Sequence, residues 1–438
     1  MTDDRSNSLV PQGPTSLAPV SRLAERTLAD RNEREGQALV ATRTLLVGPG
    51  GYATISAAVD AARDGDTVLV RPGRYEESVV VEGKTITIRG DGERDAIVVG
   101  WDKGPAFRLV DTQSTLSGLT VLGGDPHVPE PDMQGALLVT GGAPRLSWLR
   151  VTRGHGIVFR GSAAGAIEHS QIDSNVYGIV VWEGASPRIE ENEILENVRE
   201  GLLIQGAGTD PLVRANRVYG SGTIGFRELD GASPRTEENR IWGNYLARIT
   251  MHHGSTAGIW VWNGASPRIE ENRIWLHHLA GIVIQDAGTE PLVGTNHVFA
   301  GMGYGILVFG GASPRIEENW ISSNVGAGIS ITEAGTDPLV RANRISDGKD
   351  GGIRVGDGAS PRIEENEIWA NTEAGIDVKN ASPIIIGNTV RDGLGCGMLV
   401  SAGASPTISG NTITGNALKA IRVDGDADPK IGQNVVRD

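Results

Sequence analysis

The chain reads as an all-β solenoid of short coils, each carrying three strands. Three observations predict this. Asn192, Asn216, Asn239, Asn272, Asn296, Asn319, Asn343, Asn366, Asn388, Asn411 and Asn434 follow one another at 22 to 24 residues, except for a gap of 33 between Asn239 and Asn272. A period of that length marks stacked supersecondary units. Glycine is abundant, at 61 residues, while aromatics make up only 5% of the 438 residues, which suits many tight turns around a narrow core. Between the asparagines, short segments alternate inward and outward residues: in Arg188-Ile189 the isoleucine points in and the arginine out.

One coil is legible in detail. Pro187-Arg188-Ile189 forms a strand, Glu190-Glu191-Asn192 a turn, and Asn192-Glu193-Ile194 a second strand ending in a turn at Asn197. The third strand is a Gly-Ile-x-Val element such as Gly178-Ile179-Val180-Val181 in the preceding coil. A turn asparagine tolerates left-handed backbone. Stacked at about 4.8 Å, its amide can bond the same residue in the rungs above and below. The ladder is therefore structural and carries no catalytic role. Two coil types alternate, Gly-Ala-Ser-Pro-Arg-Ile-Glu-Glu-Asn at Gly184, Gly311 and Gly358, and Gly-Thr-Asp-Pro-Leu-Val-Arg-Ala-Asn at Gly208 and Gly335. This stacks Glu190, Arg214 and Glu237, and again Glu317, Arg341 and Glu364, as expected ion pairs between adjacent rungs.

Upstream, residues 1–42 form a polar arm, flexible or docking, in which Ser21 to Val40 has poor helical spacing. Thr44 to Val47 is a strand. Ile55, Ala58, Val59 and Ala62 share one helical face, and Asp64-Gly65-Asp66 stops the helix. Strands follow at Val68–Val70, Val79–Val81 and Ile86–Ile88. Lys430 begins another rung with no capping helix after it, so this open sheet edge is expected to pair with a second copy or a partner.

The segment YATISAAVDAARDGDTVLVRPGRYEESVVV resembles the opening of pectin-esterase-like right-handed parallel β-helix proteins, in which a helix caps the first coil. The repeats GASPRIEENEIW resemble the carbohydrate-binding and sugar-hydrolase repeats of periplasmic copper-maturation and F-box β-helix proteins. The resemblance implies a single-stranded right-handed parallel β-helix over 43–438, with an N-terminal capping helix. That architecture hosts lyases, esterases, hydrolases, epimerases and plain binding scaffolds, so chemistry must come from the site. Asp125-Pro126-His127 resembles part of a mannuronan-epimerase motif but lacks the glutamate that follows it there.

Charge narrows the partners. A net charge of −14 argues against nucleic acid, which needs a basic face. No run approaches a membrane span and no signal pattern opens the chain, so a cytoplasmic protein is expected. Cys396 is alone, so no intrachain disulfide forms.

The regular repeat makes its departures countable. The long coil holds an inserted loop at 245–256, containing Tyr245, Arg248, His252 and His253. In the next coil His277, followed by His278, replaces the second turn asparagine found at Asn175, Asn197, Asn244 and Asn324. Further on, Gly294 and His297 stand where sibling coils carry arginines. Glu228 falls at an inward, normally aliphatic position, expected to have a raised pKa unless paired with Arg227 or Arg248, or turned outward by a bulge. The outward columns of the third strand are apolar and aromatic here: Val158, Val180, Leu203, Arg227, Trp260, Val283 and Leu307, beside Trp182, Gln205, Leu229, Trp262, Gln285 and Phe309. Past residue 325 they become Ser330, Thr332, Arg354, Asp377 and Lys379. An apolar stripe of this length must be covered or used.

These residues predict a cofactor-free acid/base enzyme of lyase, isomerase or cyclase type, with no metal. Its catalytic candidates are His252, His253, His277, Glu228 and Arg248. Arg227, Tyr245, Trp182, Trp260, Trp262, Gln285 and Phe309 would hold a small-molecule or glycan substrate that is apolar or stacks a ring. The alternative is a non-catalytic scaffold binding a glycan or a protein along the stripe. The stripe, like the last coil, is also a candidate surface for self-association.

Overall fold

The computed structural model describes residues 42–101, 103–123, 135–244 and 256–437. Residues 44–438 form one compact unit. The arm, Asp125-Pro126-His127 and the inserted loop, with Tyr245, Arg248, His252 and His253, lie outside the described residues.

Three parallel sheets of 17, 16 and 15 strands run the length of this unit. Each coil visits them in turn. Arg188–Glu190 lies in sheet 1, Glu193–Leu195 in sheet 2 and Leu202–Gln205 in sheet 3, and each pairs with its equivalent one coil on. The core is the column of inward residues, such as Ile189, Ile194 and Ile204, all fully buried. In a sheet of this kind every rung has the same inward set, so the aliphatic residues stack in register.

The predicted first elements are present. A strand at Thr44–Val47 pairs with Thr67–Val70. The helix spans Ile55–Ala61 and buries Ile55, Ala58 and Val59 against the first strands. Thr54 caps it by accepting from the Ala57 amide at 3.1 Å, and the Glu77 carboxylate takes the Ile55 and Ser56 amides at 2.7 and 2.9 Å. The sequence missed one strand of this region, Gly73–Glu76. No helix among the described residues is long and apolar enough to cross a membrane.

The asparagine ladder is continuous. Each Nδ2 donates to Oδ1 of the next, from Asn192 to Asn216 at 3.1 Å through Asn411 to Asn434 at 2.9 Å. The bond from Asn239 to Asn272 is 3.0 Å despite the 33-residue coil. One detail differs from expectation. From Asn192 to Asn411 the left-handed residue is the one before the asparagine, as in Glu191 (φ 55°), Ala215 (54°) and Glu271 (59°). That geometry turns the asparagine inward, where its amide replaces the hydrogen bonds the bend would otherwise leave unmade.

The charged columns stack in the predicted register, with Glu190 beside Arg214 and Arg214 beside Glu237. Their bonds run differently. Arg214 reaches the turn residue Glu238 at 2.6 Å, while Arg188 and Arg315 pair within their own strands with Glu190 and Glu317. Arg341 does the same, reaching the turn residue Glu365 of the following coil at 2.9 Å.

Candidate functional site

Two of the predicted catalytic residues sit inside the coil. Glu228 is fully buried, with Phe226 inward beside it and Arg227 outward, so strand alternation holds and no bulge intervenes. Its partner is not Arg227, and Arg248 lies outside the described residues. Thr236, also fully buried, donates to its Oε1 at 2.9 Å, and Oε2 has no partner. Burial pushes the carboxyl up to about 8, with the Thr236 hydrogen bond pulling the other way. At neutral pH it is mainly protonated.

His277 is likewise fully buried. Its Nε2 lies 3.3 Å from the Ile241 carbonyl, the equivalent of the Asn324 Nδ2 bond to the Val298 carbonyl at 3.4 Å. The imidazole does the work of the missing ladder amide, which requires the proton on Nε2. Burial lowers its pKa to about 4, so it is neutral. Both Glu228 and His277 are enclosed within the coil and not exposed on its outer face.

The substrate-binding candidates divide into two clusters on the outer face of sheet 3. Trp182 and Leu229, 8% and 7% exposed, pack with Leu138, Val158, Val180 and Leu203, with Trp262 alongside. Arg227 lies over the Trp262 ring at 4.7 Å and pairs with the buried Glu200 at 3.1 Å. This half of the stripe is covered, since Val158 and Val180 have no exposure. The second cluster joins Trp260 and Val283 to Tyr304, Leu307 and Phe309. Gln285 stands one rung before Phe309 and donates to Asp286 at 3.1 Å.

Beyond that second cluster the face opens into a groove of about 610 Å³. Tyr304, Leu307 and Phe309 form one wall, and Arg354, Asp357, Asp377 and Lys379 line the other, with Ser330 and Thr332 between. The polar wall is organised around Arg354, which meets Asp350 at 2.7 Å and Asp377 at 3.7 Å. Asp350 also takes the Gly351 amide at 2.7 Å. Burial raises the Asp377 pKa, Arg354 lowers it, and the Asp350 charge adds to the rise. The groove therefore sets an aromatic wall opposite a carboxyl biased toward its protonated form, beside a second carboxylate more firmly held by hydrogen bonds.

Of the predicted substrate residues, Phe309 lines this groove, and Trp260 packs in the cluster behind its aromatic wall. Sequence reasoning listed Arg354, Asp377 and Lys379 only as the place where the apolar stripe ends. Tyr304 it missed, although a tyrosine in register with Ala257 and Ala280 is a visible departure. No group of three or more His, Cys, Asp or Glu able to hold a metal lies among the described residues.

The model of the right-handed β-helix region matches residues 145–274, 243–344 and 280–436, more than half of the chain. The chain belongs to this right-handed β-helix family. Among solved structures it is similar to the A-module of a mannuronan C-5 epimerase from Azotobacter vinelandii, at 16% identity and TM-score 0.41, over 88% of this chain and 94% of that one. A pectate lyase is similar at 14% identity and TM-score 0.43, over 66% and 78%. So is a GH87 α-1,3-glucanase from Streptomyces thermodiastaticus, at 17% and 0.34, over 90% and 69%. No curated protein matches. Likeness at this level says nothing about substrate.

Proposed function

We propose that the chain is a cofactor-free enzyme acting on a carbohydrate held in the groove between Phe309 and Asp377. The observation that supports this most is the pairing of an aromatic wall with a carboxyl of raised pKa across one open groove. A sugar ring offers a C–H face to Tyr304 and Phe309 and hydroxyls to the polar wall, which is the composition of a small-ligand site. Asp377 is the proton-transfer group, because burial brings a carboxyl closer to the pH at which it can both give and take a proton. Asp350, through Arg354, fixes the orientation of Asp377. Lys379, one outward position along the same strand from Asp377, places a cation where charge develops on the substrate. This is acid/base chemistry of lyase or isomerase type, centred past the aromatic cluster rather than inside the inserted coil.

A second reading, a glycan-binding groove without turnover, draws on the same wall and on the neutralisation of Asp377 by Arg354. One experiment separates the two. An oligosaccharide panel is screened for binding and for product formation with the parent, Phe309→Ala and Asp377→Asn. Phe309→Ala is expected to weaken binding about tenfold, the worth of one aromatic contact. Asp377→Asn is expected to abolish turnover while leaving binding close to the parent's. Full turnover by Asp377→Asn on any substrate found would remove the catalytic assignment. Unchanged binding by Phe309→Ala would remove the groove.

A further inference from the structure

The outer face of sheet 2 carries a second organised surface. Tyr219, Trp242, Trp275 and Phe299 lie in register on successive rungs and stack ring on ring, with centroids 4.4, 4.9 and 5.6 Å apart and planes within 12°. Beside them runs a column of Arg217, Arg240 and Arg273, also in register, continued by His297 and Trp320, which stack at 4.2 Å. All three arginines are exposed, and Trp320 is 50% exposed.

The arginine column is not balanced. Arg217 has Glu193 at 3.8 Å, but among the described residues neither Arg240 nor Arg273 makes an ion pair. Of the carboxylates in the turn before this sheet, Glu238 is taken by Arg214. Like charges directly opposite in a sheet destabilise it. Arg188, Arg268, Arg315 and Arg391, by contrast, each have a carboxylate partner. The chain's overall charge is −14, so two neighbouring guanidinium groups without an ion pair, Arg240 and Arg273, are opposite in sign to the chain as a whole. Arg273 also bears on its neighbour, since burial and then the Arg273 charge lower the His297 pKa.

We infer that this face is a docking surface for a carboxylate-bearing face of a partner protein. The charge calls for an anion, and forked guanidinium groups suit carboxylates. The rings indicate what kind. Because they stack on one another, their faces are occupied, so neither a nucleobase nor a sugar can lie flat on them. What they present outward is their edges, which carry the positive end of the ring quadrupole. A surface of Trp, Tyr and Arg, with Glu193 bordering its arginine column, matches the energetic centre of protein interfaces.

The test uses poly-L-glutamate as the acidic polypeptide probe, titrated into the full chain with tryptophan fluorescence and calorimetry as readouts. Polygalacturonate and single-stranded oligodeoxynucleotide of matched charge serve as rivals. The parent is expected to bind polyglutamate most tightly, and Arg240→Glu and Trp242→Ala each to weaken that binding tenfold or more. Arg240→Glu sets a carboxylate between Arg217 and Arg273, so it is expected to raise the thermal midpoint while losing the probe. A residue kept only for the fold would show the reverse. Absence of polyglutamate binding, or binding indifferent to Arg240→Glu, overturns the inference. Tighter binding of polygalacturonate or DNA through the same arginines overturns the assignment of a protein partner.

Discussion

Glu228 makes the interior of the solenoid sensitive to pH in an unusual direction. The carboxyl is fully buried with a pKa near 8, while in the unfolded chain it returns to the ordinary value of 4.5. Between those two values the folded chain holds a proton that the unfolded chain releases. Stability from this group is therefore complete below the unfolded pKa and falls as pH rises, levelling off above the folded pKa. At about 1.4 kcal/mol per pH unit, the loss between pH 5 and pH 8 is about 3 kcal/mol. Glu228→Gln keeps the shape and removes the titration. The assay is urea unfolding of both proteins across that range, followed by tryptophan fluorescence. The difference between them is expected to grow with pH in favour of Glu228→Gln, by about 3 kcal/mol over the window. A difference that stays constant from pH 5 to pH 8 would show that the side chain is solvated and would refute the buried assignment. A Glu228→Val single variant is a poorer probe, because it strands the Thr236 hydroxyl.

His277 titrates with the opposite sign. Its folded pKa of about 4 lies below the ordinary 6.5, so the unfolded chain binds the extra proton and stability falls as pH drops through that window. His277→Asn restores the sibling residue and is expected to flatten the acid limb of the thermal midpoint while leaving any activity intact; loss of activity would return His277 to the list of catalytic groups. Asn272→Ala removes donors to Asn296 and to the Thr236 carbonyl and an acceptor for Asn239, all buried. Its expected cost is about 2–4 kcal/mol, from two or more stranded partners, measured by denaturant midpoint. An effect within error there would mean the ladder contributes order rather than stability. Arg354→Gln frees Asp377 from the guanidinium that lowers its pKa, so the acid limb of a pH–rate profile is expected to move upward. An unchanged profile would place the proton-transfer group elsewhere.

The coil geometry was legible because asparagine occupies one position in eleven successive rungs, from Asn192 to Asn434, and a period of that kind survives any change in the surface. The same regularity misled at His277. A histidine among asparagines looked like a functional departure, yet its Nε2–H substitutes for an amide N–H toward the same kind of carbonyl. Glu228 was correctly placed inward, but its partner Thr236 was not foreseen, because the two lie on consecutive strands of different sheets and the pattern of one strand says nothing of the other. The groove was harder still. Arg354, Asp377 and Lys379 were visible as polar residues, but a groove depends on how far neighbouring side chains stand out from a flat sheet, which Tyr304 and Phe309 decide together. The aromatic stack on sheet 2 escaped notice because its rings are 23 to 33 residues apart in the chain and meet only through the register of the coils.

The unbroken bond between Asn239 and Asn272 has a consequence for how such a chain changes over time. Ten extra residues enter one coil, and the rungs on either side meet as though nothing had been added. Lengthening a closed loop costs little, since the entropic term grows only with the logarithm of its length. The chain between Asn244 and Thr256 is therefore a socket: polypeptide of another length and composition can be exchanged there while the ladder on either side keeps its register. Grafted segments would then be displayed at a chosen rung without redesign of the coils around it.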